Sequence, residues 1–285
     1  MSFWADTAKL AETGASGRQL PIGPKSTGRM VGALSFESGA MQLKAVVRGA
    51  DVPAINKSGI RLAELPATTV AGVSVAGAGP AFQKAWPQLQ KFVGQLGQSQ
   101  QFDSFVNAAQ QQFGIKVPDD VATLLGTDLT LAVDERGLAE SMQGGVSDSS
   151  GAPTLPQVGL RSTTDVSKAK ALLPKLDEML AASGAPIKLG KATGSDSMSI
   201  ATTQAYADEL VKGGSLGSGE TFKAAVPESD KAQFGLFVDF DKIEKLYPPS
   251  LPAQSRANLT PLRAIGLAGS TTADGGTFTM RVLVN

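Results

Sequence analysis

Apolar residues recur along this chain with two periods, and turn residues mark where one period gives way to the other. Period-two alternation bounded by Gly, Pro, Asn, Asp and Ser predicts half-buried strands. Met30 to Phe36 and Met41 to Val47 predict one such pair, joined by a tight turn at Glu37-Ser38-Gly39. Ile187 to Ala192 and Ser197 to Thr202 predict a second hairpin, over Thr193-Gly194-Ser195-Asp196. Ala264 to Ser270 and Thr277 to Val284 predict a third, around Ala273-Asp274-Gly275-Gly276. Further strands are expected at Thr69 to Ala76, Asp128 to Asp134, Val158 to Ser162 and Gln233 to Asp239.

Helical spacing governs three longer stretches. Phe82, Trp86, Leu89, Phe92, Val93 and Leu96 form one stripe, and Phe102, Phe105, Val106, Ala109 and Phe113 another. Pro80 is placed to open the first helix, and Pro87 inside it should kink or interrupt it. Asp165 is a natural N-cap for a helix from Val166 to Ala182, which Pro174 should kink. Pro118-Asp119-Asp120 starts a short helix that Gly126 stops. Short helices are also expected near Ala205 to Lys212 and Glu220 to Ala225, and a mobile loop over the Gly/Ser/Pro-rich residues 137–156. Hairpins dominate the strand pairs. The expected fold is therefore α+β, with mostly antiparallel sheets and helices packed on one face.

The two ends of the chain read alike. Phe3-Trp4-Ala5-Asp6-Thr7-Ala8-Lys9-Leu10 matches Leu236-Phe237-Val238-Asp239-Phe240-Asp241-Lys242-Ile243, and Arg29-Met30-Val31-Gly32 matches Arg263-Ala264-Ile265-Gly266. Asp to Arg spans 23 residues in the first copy and 24 in the second. Each copy predicts strand end, short helix (Asp6 to Ala11, Asp241 to Leu246), loop and hairpin. This order points to an internal duplication, with residues 1–61 the end of an incomplete first repeat and 62–285 a complete second one. On that reading the chain starts inside its first repeat. Its first 50 or so residues are then expected to pack onto the second unit or to borrow strands from another chain, because an open sheet edge self-associates.

Composition narrows the chemistry. The 285 residues carry 26 basic and 26 acidic side chains and no basic run, which disfavours a nucleic-acid partner. Neither Cys nor His occurs, so thiolate nucleophiles, zinc–thiolate sites, Ser–His triads and histidine-bound metals are excluded. No cofactor, metal or catalytic residue is assigned, and no apolar run reaches the roughly 20 residues of a spanning helix.

Phe3-Trp4-Ala5-Asp6-Thr7-Ala8-Lys9-Leu10-Ala11-Glu12, Leu65-Pro66-Ala67-Thr68-Thr69-Val70, Leu124-Leu125-Gly126-Thr127-Asp128-Leu129-Thr130-Leu131-Ala132 and Leu262-Arg263-Ala264-Ile265-Gly266-Leu267 carry a family resemblance. Over essentially the whole chain the sequence resembles actinobacterial proteins grouped as domain-of-unknown-function family 3352. The resemblance implies an exported parent tethered by one transmembrane helix, of which this chain is the C-terminal, extracytoplasmic portion. It implies no catalytic residue.

Each polar constellation has a plain structural reading. Gly77-Ala78-Gly79 lies between strand and helix as in a dinucleotide-binding turn, but Phe82 stands where the third glycine belongs. Asp119 and Asp120 are adjacent on a helix and point about 100° apart, so they suit a helix start better than a metal. Asp239 and Asp241 could share one strand face as a ligand pair. Yet only the Asp239 position recurs, as Asp6, which favours capping. Arg29 and Arg263 recur before a strand and suit ion pairs with Asp6 and Asp239. Three functions remain in play. The first is a non-catalytic binding or scaffold domain for an envelope protein, a polymer or the missing N-terminal part of the parent. The second is a carrier holding a lipid-like ligand between the sheet and the helices of Phe82 to Phe113. The third is a carboxylate-only enzyme such as a glycosidase, which needs two acids facing each other at about 5–10 Å.

Overall fold

The computed structural model of the protein describes residues 1–6, 28–37, 39–49, 59–142, 156–184, 188–246, 254, 257, 260–272 and 274–285. Its strands are β1 (Ser2–Asp6), β2 (Arg29–Glu37), β3 (Ala40–Arg48), β4 (Thr69–Ala76), β5 (Asp128–Asp134), β6 (Val158–Thr163), β7 (Gly190–Thr193), β8 (Ser197–Ala201), β9 (Phe234–Asp239), β10 (Leu262–Thr272) and β11 (Gly275–Val284). All join one 11-stranded sheet in the order β1-β2-β3-β11-β10-β9-β4-β5-β6-β8-β7. Every neighbouring pair is antiparallel.

The fold is α+β, as expected, but its helices divide between the two faces. On one face lie 3-10 turns at Leu62–Glu64 and Leu216–Ser218 and the helices later in the chain. A Cβ on Gly72 or Gly235 would strike Leu62, one on Gly159 would strike Leu210, and one on Gly266 would strike Ala225. These glycines and Phe237 share a face by register, and Phe237 packs edge-on against Phe222 at 5.1 Å. Here sits the core of Leu62, Leu65, Tyr206, Leu210, Phe222, Val226 and Phe237.

The opposite face receives α1 (Ala78–Gln95), α2 (Ser99–Phe113), α3 (Asp119–Leu125) and, after the short α4 (Leu138–Met142), α5 (Val166–Ala182). Their main contacts with the sheet fall on β5, β6, β7 and β8. The helices of the core face are α6 (Gln204–Lys212) and α7 (Glu220–Ala225), and α8 (Phe240–Glu244) follows β9 directly. Pro87 does not interrupt its helix: α1 runs through Pro87, and α5 through Pro174, as single elements. Asp165 caps α5 by accepting from the amides of Ser167 and Lys168. Gly126, at φ 65°, ends α3. The expected loop at residues 137–156 opens with α4. Residues 143–155 lie outside the described residues, as does the expected helix from Asp6 to Ala11.

The chain ends form two meanders, β1-β2-β3 and β9-β10-β11, whose third strands β3 and β11 pair antiparallel. The opening residues therefore pack onto the remainder, the first of the two outcomes expected. Registers differ between the meanders. Asp6 stands opposite Arg29, whereas Asp239 stands opposite Ala264, one residue beyond Arg263. Common strand order is thus observed, and duplication remains an inference from sequence.

Candidate functional site

The acidic residues singled out in the sequence do not converge. Asp119 accepts a hydrogen bond from Gln83 Nε2 at 2.9 Å, and Asp120 accepts one from the Lys116 amide at 2.7 Å. Asp239 caps α8, accepting from the Lys242 amide at 3.1 Å. The strand ends at Asp239, so Asp241 lies on the helix and not beside it. Asp241 accepts from Asn285 at 3.1 Å and pairs with Arg263 at 4.0 Å. Arg263 was expected to meet Asp239; Lys242 occupies that place at 3.8 Å, and Arg263 turns to Asp241 and the Thr221 hydroxyl. Arg29 is exposed, opposite Asp6 in the ladder. Among the described residues no group of three Asp or Glu is placed to hold a metal ion.

Gly77 and Gly79 are committed to packing. Their amides donate to the carbonyls of Thr127 at 2.5 Å and Gly126 at 2.7 Å, so neither is directed at a ligand. A Cβ on Gly79 would lie 2.3 Å from the Ala122 carbonyl oxygen, which explains a glycine where α1 crosses α3.

Sequence reasoning missed a polar seam under the core-face helices. Asp134, buried at the end of β5, takes a two-pronged contact from Arg136, Nε to Oδ1 at 2.6 Å and Nη2 to Oδ2 at 2.9 Å. Arg136 continues to Glu209 at 2.7 Å and lies over the Tyr206 ring at 5.8 Å. Burial pushes the Asp134 carboxyl up, but hydrogen bonds from Arg136 and Thr68 outweigh it and leave it below the ordinary range. Glu64 behaves likewise: burial raises it, and its bonds with Arg61 and Arg161 bring it below normal. Asp128 has no such partners. Burial pushes it up to about 6, and its Oδ1 finds no hydrogen-bond donor among the described residues. These residues are scattered through the sequence and converge only through strand register, so no local motif announces them.

The opposite sheet face is apolar over nearly its whole width. In register, Leu34, Leu43, Met280, Leu267 and Leu236 stand side by side across β2, β3, β11, β10 and β9. Val73, Leu131, Leu160 and Ile200 continue the row through β4, β5, β6 and β8. A second row runs beside it through Phe36, Met41, Val282, Ile265, Val238, Ala71, Val133 and Val158. No polar side chain interrupts either. Towards β8 the rows pass beneath α2 and α5; at β4 and β5 they stand open, Val73 at 40% and Leu131 at 47% exposure. Where the helical layer meets the sheet edge lies a cavity of about 350 Å³, with Phe105, Leu176, Met179, Leu180, Leu189 and Ile200 in its wall.

The roof over this region is lightly held. Phe82, Trp86 and Phe102 touch ring to ring at 5.5 and 5.3 Å, yet all are only half-buried. Gly79 is the only fully buried residue of α1 and Ala109 the only one of α2. The two stripes therefore meet each other rather than a closed core.

Among known proteins the chain matches no family model, no curated sequence and no solved structure.

Proposed function

We propose that this chain is a non-catalytic binding module that holds a lipid-like apolar ligand against the open sheet face, beside the α1–α2 hairpin. The observation that carries this reading is the pair of uninterrupted aliphatic rows, open to solvent at Val73 and Leu131. Exposed apolar patches of this extent mark sites that something else covers. Asp119, Asp120, Asp239 and Asp241 are each engaged by a hydrogen bond or an ion pair and do not face one another, which supports a binding role. From the family resemblance, the module belongs to an extracytoplasmic, membrane-anchored parent; among the described residues no helix is long and apolar enough to cross a membrane.

Burying a fully exposed Leu is worth about 1.5–3 kcal/mol. Val73→Glu with Leu131→Glu should therefore weaken a saturable apolar dye such as Nile red by at least about tenfold. Circular dichroism should stay unchanged. Dye binding that ignores the pair of substitutions contradicts the reading.

A second reading rests on β1, the end strand of the sheet, where Trp4 is 75% exposed and Phe36 on β2 is 73% exposed. Such an edge suits strand addition by an envelope protein or by the N-terminal part of the parent. In a Trp86→Phe background, the emission of Trp4 should shift to the blue when an envelope fraction is added. An unshifted spectrum counts against this partner.

A further inference from the structure

We propose that the cavity between α2, α5 and the β7–β8 edge receives a single unbranched acyl chain ending in a carboxylate, with Lys191 as the residue that takes the carboxylate. The inference rests on the ligand-binding reading above and names the ligand class at one end of that face.

Three observations select this occupant. Size comes first: at roughly 30 Å³ per methylene, close to the share of a water in the liquid, about 350 Å³ admits on the order of a dozen carbons, one chain and not two. Wall chemistry comes second. Six apolar side chains form the wall, and the polar ones are Asp177, Ser183 and Lys191. A peptide entering here would bring amide groups with few partners to satisfy them, whereas an alkyl chain needs none.

Charge placement comes third. Lys191 stands directly opposite Ile200, itself opposite Leu160 at the end of the aliphatic row. Its side chain is 14% exposed, with the stem in the cavity wall and the ammonium paired with Asp177, whose own side chain is 55% exposed. The strand holding Lys191 is clamped by Gln204, which accepts from the Lys191 amide at 3.1 Å and donates to its carbonyl at 2.9 Å. A buried stem, a fixed backbone and a solvent-facing counter-ion leave the ammonium able to exchange Asp177 for an incoming carboxylate. A carboxylate head takes Asp177's place on Lys191 while Asp177 turns to solvent; a cationic head would compete for Asp177 and leave the less exposed Lys191 unpaired, and a neutral head would leave the ion pair as it is.

The test is calorimetric titration at neutral pH with dodecanoate, dodecanol and dodecyltrimethylammonium, each below its micellar concentration. Dodecanoate should bind one per chain and more tightly than either analogue. Lys191→Met keeps the stem and removes the charge. It should weaken dodecanoate about tenfold, as loss of a partly exposed charge-assisted bond implies, and leave dodecanol within about twofold. Leu180→Trp should fill the cavity and abolish both, with Met179→Trp as an alternative should the first lower the unfolding midpoint. Unchanged dodecanoate affinity in Lys191→Met, or retained binding in the filled variants, overturns the inference. Binding that ignores these variants but falls with Leu131→Glu also overturns it, while leaving the sheet-face reading standing. Failure of every chain to bind removes both.

Discussion

Asp128 and Asp134 close opposite ends of β5 on the same sheet face, and they titrate in opposite directions. Asp134 is held ionised by Arg136, so its contribution is present above the ordinary carboxylate range and is lost as pH falls through its lowered folded value. Asp128 works the other way. Its folded value of about 6 exceeds the ordinary 3.8, so the folded state binds the proton more tightly than the unfolded chain. Stability from this residue is therefore greatest at low pH and is lost as pH rises from about 4 to 6, by at most about 3 kcal/mol. Asp128→Asn keeps the shape without the charge. Urea unfolding at pH 4.5, 5.5 and 7 should show the variant gaining on the parent protein as pH rises. Parallel profiles would show that Asp128 is not desolvated as described. Neither acid stood out in the sequence, because both sit within an ordinary strand pattern; Asp134 acquires Thr68 and Arg136, and Asp128 its burial, only through folding.

Elements were far more legible than partners. The strands at Thr69–Ala76 and Asp128–Asp134 and the helices at Val166–Ala182 and Glu220–Ala225 fall where periodicity and caps place them. Those signals are local: alternation, an Asp N-cap, a Gly stop. The 3-10 turns at Leu62–Glu64 and Leu216–Ser218 carried no periodic pattern, yet they supply much of the cover over Gly72 and Phe237. Pro87 does not interrupt its helix: α1 runs on through Pro87 and α5 through Pro174, each proline removing one amide donor. The aromatic stripes of α1 and α2 were correctly placed on helices. Their half-burial was not visible in spacing, since a stripe reads the same whether it faces a closed core or a neighbouring hairpin.

At the scale of the molecule, the sequence predicted hairpins but not that all strands would join in one sheet. Strand neighbours such as β3 with β11, or β9 with β4, are set by pairing across long separations, which local patterning does not record. Alternation did contain the essential asymmetry. The central strands present one face that the core-face helices and 3-10 turns seal and another that is apolar, and only the assembled register shows the apolar residues forming continuous rows. Two-sided apolarity in a wide antiparallel sheet normally calls for two covering layers. In this protein the second layer has its main contacts at the β5 to β7 end. The remaining open face, around Val73 and Leu131, is on this reading ligand surface. A photoactivatable alkyl-diazirine fatty acid, irradiated with the protein and mapped by peptide mass spectrometry, tests this most directly. Labels concentrated on Val73, Leu131, Leu236 and Leu267 are the predicted result; labels scattered over the surface, or confined to the helix-sealed face, would contradict it.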